Sequence, residues 1–146
     1  MLRFNSNSVS DTENIAETLG RVLKSGNVVA YFGGLGMGKT AFTRGLARGM
    51  GITADVSSPT FAIVNDYGGN PPLVHFDMYK VESWDDLYSS GFFDYLDMGA
   101  VLAVEWSENI ENALPEDTVR VTIEQGNKAD ERIITIEGID DENFSS

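Results

Sequence analysis

Apolar positions along the chain change period several times, and each change marks an element. Ile15, Leu19, Val22 and Leu23 recur at helical intervals after Ser10-Asp11-Thr12-Glu13, which has capping-box spacing, so residues 11–24 read as an amphipathic helix ended near Gly26. Val28-Val29-Ala30-Tyr31-Phe32 is a continuous apolar run, the pattern of a buried strand over 27–33. A helix over 39–50 follows, closed by Gly51. After a polar loop at 55–59, residues 61–67 alternate and run into Gly68-Gly69-Asn70-Pro71-Pro72, and 73–79 form a second strand, giving a hairpin-like pair. Short helices are expected at 83–88, with Ser83 as cap, and at 91–96. Val101-Leu102-Ala103-Val104 is a strand buried on both faces, 108–114 is weakly helical, and 118–125 with 132–137 read as an antiparallel hairpin. The acidic tail 140–146 is expected to fray.

Between the first buried strand and its helix lies Gly33-Gly34-Leu35-Gly36-Met37-Gly38-Lys39-Thr40, which fits G-x-x-x-x-G-K-[ST] in its required strand–loop–helix context. Glycines let backbone N–H groups converge on phosphate oxygens, and the helix beginning there adds the positive end of its dipole. The loop glycines Gly33, Gly34, Gly36 and Gly38 supply the cradle, Lys39 reaches the β- and γ-phosphates, and the Thr40 hydroxyl is placed to ligate Mg²⁺. The sequence therefore predicts a nucleoside-triphosphate-binding α/β protein. Its expected fold is a P-loop NTPase-like three-layer sandwich with a mixed, partly parallel central sheet and an antiparallel C-terminal hairpin.

Hydrolysis also needs acids that hold the metal and orient water, at the ends of strands beside the loop strand. Glu105 closes the apolar run 101–104, as a Walker-B-type acid does, and Asp77 closes the nearly as apolar Leu73-Val74-His75-Phe76. Lys39, Asp77 and Glu105 are thus the candidate catalytic residues, with Thr40, Glu105 and Asp77 as candidate metal ligands. Thr60, after Ser58-Pro59, reads either as a switch residue sensing the γ-phosphate or metal or as part of an ordinary turn. His75, the only histidine, sits inside an apolar strand and reads as a hydrogen-bonded packing residue rather than a catalytic base. Trp106 belongs to the core or lines the nucleotide pocket; the pattern leaves both open.

Composition narrows the class. The 146 residues are read as a single domain over 1–146, with 42% hydrophobic content and no apolar run near the roughly 18 residues of a membrane span. The N-terminus lacks the apolar core of a signal peptide. There is no cysteine, which excludes disulfides, zinc–thiolate sites and thiol catalysis. These features point to a cytoplasmic protein. The net charge of −13 repels nucleic acid, so a role on RNA has to run through a more basic partner. Arg44 and Arg48 follow the loop; they either offset triphosphate charge or form a solvated helix face, and for Arg48 the latter is favoured.

Asp66-Tyr67-Gly68-Gly69 matches D-x-x-G and Asn127-Lys128-Ala129-Asp130 matches N-K-x-D, the motifs of GTP-binding switch proteins. The alternation before Asn127 describes a half-exposed strand, and Gly126-Asn127 reads as a hairpin turn, whereas a guanine-reading motif ends a buried parallel strand. A small GTPase is accordingly the alternative, as is a nucleotide-dependent binding module without relevant hydrolysis.

The P-loop with Ala41-Phe42-Thr43-Arg44-Gly45, then Ser58-Pro59-Thr60, His75-Phe76-Asp77-Met78-Tyr79-Lys80, Gly91-Phe92-Phe93-Asp94-Tyr95 and Val104-Glu105-Trp106, occur in one order that closely resembles the bacterial TsaE (YjeE) family of small P-loop ATPases. The likeness spans residues 10–125. It implies ATP as the nucleotide and Mg²⁺ as the metal, phosphate contacts from Gly36 through Ala41, and Mg²⁺ held by Thr40 and Glu105 with Asp77 near the metal or its water. It places Trp106 close to the nucleotide and makes 58–60 a switch. It further implies a part in making threonylcarbamoyladenosine at position 37 of tRNAs that read ANN codons. The partners would be TsaD-like and TsaB-like subunits that handle the tRNA, with ATPase activity weak alone and stimulated by them. The chain departs from the family at Gly34, where Asp is usual, and at Met37, where Ala is usual; neither position owes phosphate a side chain.

Overall fold

The apolar runs become the centre of one sheet. The computed structural model describes residues 1–33, 38–53, 56 and 64–139. Among the described residues, seven strands, β1 (Leu2–Ser6), β2 (Val28–Gly33), β3 (Val64–Gly69), β4 (Pro72–Asp77), β5 (Val101–Glu105), β6 (Val119–Gln125) and β7 (Arg132–Glu137), lie in the order β1-β7-β6-β2-β5-β4-β3. The middle strands β6, β2, β5 and β4 are parallel, and both margins are antiparallel. Helices α1 (Val9–Val22) and α2 (Lys39–Gly49) cover one face. The short helices α3 (Trp84–Ser89) and α4 (Phe92–Asp97) and a 3₁₀ segment, Ser107–Ala113, cover the other. The expected three-layer mixed sandwich is therefore present. Alternation within the central strands assigns the layers: Val29, Tyr31, Leu73, Val101 and Ala103 pack toward α1 and α2, while Val28, Val74, Phe76, Leu102 and Val104 pack toward α3 and α4.

Several boundaries move. The first helix runs 9–22, not 11–24, because Ser8 is its N-cap: its hydroxyl accepts the Asp11 N–H while the Asn7 N–H donates to the Asp11 carboxylate. Strand β1, unforeseen in the sequence, adds to the hairpin edge through β7. The strand expected at 73–79 stops at Asp77, and the weak helix at 108–114 is the 3₁₀ segment. Residues 61–63 and the tail 140–146 lie outside the described residues. Gly51 closes α2 as expected, with φ +77 and a Schellman pair: Gly51 N–H to Arg48 O and Ile52 N–H to Ala47 O.

α1 and α2 meet almost backbone to backbone. A Cβ on Gly45 would stand 2.3 Å from the Glu13 carbonyl oxygen, and one on Gly49 2.2 Å from that of Glu17. Arg44 pairs with Glu13 at 2.6 Å and Arg48 with Glu17 at 2.9 Å along the rim of the same contact. Arg48 is thus a surface residue as expected, and Arg44 is spent on the helix pair rather than turned to the phosphate loop. Half-exposed pairs of this kind contribute about 0.2–1 kcal/mol, less than the cost of forcing the helices apart. We therefore expect Gly45→Ala to lower unfolding free energy by about 1–3 kcal/mol and Arg44→Ala by less, measured as shifts in denaturant midpoint.

Candidate active site

The parallel register of β4, β2 and β5 brings the predicted chemistry to one sheet edge. Asp77 and Glu105 are direct partners across β4 and β5, and Ala30 of β2 pairs with Val104. By strand alternation, His75, Asp77 and Glu105 share the face that packs on α1 and α2. That face carries the start of α2, with Lys39 and Thr40 in its first turn.

Gly33 and Gly38, at the end of β2 and the cap of α2, are each tightly specified. Gly33 ends β2 at φ +118, where a Cβ would lie 2.1 Å from the Ile123 carbonyl oxygen, so only glycine fits between β2 and β6. Gly38 takes the N-cap position at φ +99 and provides no side-chain cap, leaving the first-turn N–H groups without a local acceptor from it. Lys39 is buried, with its Nζ 3.4 Å from the Gly33 carbonyl across the mouth of the loop. The Thr43 hydroxyl donates to the Lys39 carbonyl at 2.9 Å and accepts from the Tyr31 hydroxyl at 2.7 Å. This relay bolts the first turn of α2 to β2. Burial pushes the Tyr31 hydroxyl well above its ordinary range, so it remains a neutral donor.

Around the acids, His75 is fully buried, and its Nε2 lies 2.7 Å from a Glu105 carboxylate oxygen. That approach lies off the ring N–H axis, so the nitrogen has no aligned hydrogen-bond partner. The Tyr67 hydroxyl stands 3.4 Å from Nδ1. The expectation of a packing histidine holds for its burial, but its contact with Glu105 is a local role that sequence reasoning did not assign. The Asp77 carboxylate accepts the Tyr79 N–H at 3.0 Å, and the Met78 N–H donates to the Glu105 carbonyl at 3.0 Å. Trp106 has φ 59, the one positive φ at a non-glycine among the described residues, and its ring lies 4.9 Å from that of Tyr79. It is half-buried at the rim of the α3/α4 core.

Lys39, Thr40, Ala41, Gly33, Gly38, Asp77 and Glu105 thus gather along one sheet edge, and Trp106 follows Glu105. Gly36, Met37 and Thr60 lie outside the described residues, as does the 57–63 stretch. Among the described residues, no three His, Asp or Glu side chains form a metal cluster. A cation here would draw on Thr40, one or two carboxylates, and oxygens from phosphate and water, which is how Mg²⁺ is ordinarily held beside nucleotides.

Sequence reasoning missed a cleft of about 380 Å³ beside the start of α2, bordered by Ser8, Thr12, Gly38, Ala41, Asp130 and Arg132. Its wall includes the cap of α1, Asn7 and Ser8, which follows directly on β1. The signal available was the alternation of Leu2 and Phe4 with Arg3 and Asn5, which marks an edge strand. The N-K-x-D motif does sit in the turn joining antiparallel β6 and β7, as its hairpin pattern indicated, yet that turn places Asp130 on the rim of the cleft. Asp66 lies in edge strand β3, where its carboxylate accepts the Gly68 N–H. No helix among the described residues is long and apolar enough to cross a membrane.

Comparison with known proteins bears on the family and the fold. The family model described as Threonylcarbamoyl adenosine biosynthesis protein TsaE aligns with residues 6–134. The tRNA threonylcarbamoyladenosine biosynthesis protein TsaE of Treponema pallidum is 37% identical over 122 residues, covering 84% of this chain and 90% of the relative. That of Bacillus subtilis is 37% identical over 139 residues, 94% and 86% of the two chains. The crystal structure of Bacillus subtilis YdiB matches with a TM-score of 0.76 at 34% identity, covering 92% of this chain and 83% of that one. With the P-loop context, the paired strand-end acids and the mixed seven-stranded sheet in place, the chain belongs to the TsaE family.

Proposed function

We propose that this protein is a Mg²⁺-dependent cytoplasmic ATPase subunit required for threonylcarbamoylation of adenosine 37 in tRNAs reading ANN codons, acting with TsaD-like and TsaB-like subunits. The observation that carries the reading is the direct pairing of Asp77 with Glu105 at the sheet edge that also bears Lys39. In this reading the N–H groups at the start of α2 and the Lys39 ammonium bind the phosphates, and Thr40, Glu105 and Asp77 are the residues that fit a divalent cation. Bound there, the cation would neutralise charge developing on the phosphates. Glu105 or Asp77 orients the attacking water, and the buried His75 ring, packed against the Glu105 carboxylate, limits where that carboxylate can sit. The nucleoside lies in the cleft beside Gly38 and Ala41. The net charge of −13 supports assigning tRNA contact to the partners.

Lys39→Ala is expected to weaken nucleotide binding by about 2–5 kcal/mol, because it strips the buried countercharge from the phosphates. Glu105→Ala and Asp77→Ala are expected to keep nucleotide affinity while lowering kcat by about 10²–10³-fold, measured in the reconstituted complex with partners and tRNA. Carboxylate variants that no longer turn over ATP but still support repeated tRNA modification would favour a nucleotide-dependent binding module instead.

His75 tests the support behind Glu105. His75→Asn is expected to cut kcat about 10–100-fold with little change in nucleotide Kd, and circular dichroism separates that outcome from misfolding.

The alternative, a GTP-binding switch, gains one observation, the position of Asp130 on the cleft rim. A competition between ATP and GTP for the purified protein decides it. ATP is expected to displace a fluorescent nucleotide at the lower concentration, and Asp130→Ala to leave that order unchanged. A collapse of GTP affinity in Asp130→Ala, from a wild-type chain that prefers GTP, would assign the site to guanine.

A further inference from the structure

The second face of the sheet carries a groove that the nucleotide chemistry does not use. It lies between α3 and the 3₁₀ segment and holds about 330 Å³. Its floor is apolar, made by Val81, Leu87 and Ile110, which are 7%, 3% and 4% exposed. Glu82 and Glu108 stand on its rim, and among the described residues neither has a cationic partner. Only Glu111 of this rim is paired, with Arg120 at 2.9 Å.

Beside the groove the surface is aromatic. Trp84, which also lines it, is 55% exposed and stacks on Phe93 at 6.4 Å; Tyr88 is 62% exposed and lies 4.8 Å from Phe93. Most of the exposed large hydrophobics among the described residues, Tyr79, Trp84, Tyr88 and Met98, fall in this one stretch. The same stretch has acids at 82, 85, 86, 94 and 97 against a single cation, Lys80. Clustered exposed aromatics over an apolar floor mark a recognition surface rather than random exposure. The surrounding acids select the occupant. Nucleic acid is repelled, and a second copy of this chain would set acids against acids.

We propose that the α3–3₁₀ groove docks a basic segment of a partner protein. An apolar or aromatic side chain enters between Val81, Leu87 and Ile110, and flanking Lys or Arg meet Glu82 and Glu108. The segment belongs to one of the partner subunits, so this inference rests on the function proposed above and adds where contact is made. The groove is also joined to the acids. Asn109, in its wall, donates to the carbonyls of Met78 and Tyr79, and the Met78 N–H donates in turn to the Glu105 carbonyl. A segment seated there bears on the turn that leads out of Asp77.

Binding of the full chain to the purified TsaD-like and TsaB-like pair, followed by calorimetry, tests the proposal. Trp84→Ala, and separately the double reversal Glu82→Lys with Glu108→Lys, are each expected to weaken binding about tenfold or more. Affinity for a fluorescent ATP analogue should be unchanged in both, and wild-type binding to the pair should fall as salt is raised. Retained binding by both variants overturns the groove alone. Failure of the wild-type chain to bind the pair overturns the groove and the proposed function together. Self-association that these variants abolish gives the groove to a second copy and overturns the proposal.

Discussion

The parallel register of β2, β5 and β4 is the constraint from which the rest of the candidate site follows. Pairing Ala30 with Val104 and Glu105 with Asp77 ends three strands at one edge and turns the acids toward the face that carries α2. A slip of one residue in either pairing would turn an acid to the opposite face. Such a slip is opposed by the core, since Val101 and Ala103 would trade layers with Leu102 and Val104 and lose their packing on both sides. The residues that fix the chemistry are therefore ordinary aliphatic ones, and the acids inherit their positions from them.

Two devices then tie the loops to this frame. The Tyr31–Thr43–Lys39 relay fixes the first turn of α2 against β2, and the left-handed Trp106 turns the chain sharply after Glu105. A tryptophan at φ 59 costs of order 1–3 kcal/mol unless its surroundings hold it there. Here the Tyr79 ring, the Met78-to-Glu105 backbone bond and the Asn109 side chain all converge on the same turn. That convergence makes the two acid-bearing strand ends one mechanical unit.

Much of this was readable from residue types because buried parallel strands announce themselves. The runs 28–32 and 101–104 are continuous where an exposed strand alternates, and the P-loop glycines demand their context. Glu105 and Asp77 could be singled out because each ends such a run. The strand β1 escaped because its five residues gain most of their support from β7, which is distant in sequence and leaves no local trace. The cap of α1 moved to Ser8 because two Ser-x-x-acid spacings compete there, and the one completed by Asp11 also receives the Asn7 N–H. The tie between His75 and Glu105 is likewise tertiary: thirty residues apart in the chain, they meet through the pairing of β4 with β5.

Charge explains why the candidate site is built around so few cations. Arg44 and Arg48 lie just after the phosphate loop, yet both are committed to Glu13 and Glu17, closing the α1–α2 contact. Lys39 is the basic side chain buried at the loop mouth, in a chain whose overall field is strongly negative. A triphosphate entering such a field needs more positive charge than one ammonium and a helix end worth about half a charge. The proposed reading supplies the remainder as a divalent cation between the nucleotide and the Asp77–Glu105 pair. On this account the cation arrives already bound to the triphosphate, so the first-turn N–H groups and Lys39 carry most of the nucleotide affinity. The two acids then fix where the cation sits for turnover, which is why their loss is expected to cost rate rather than binding.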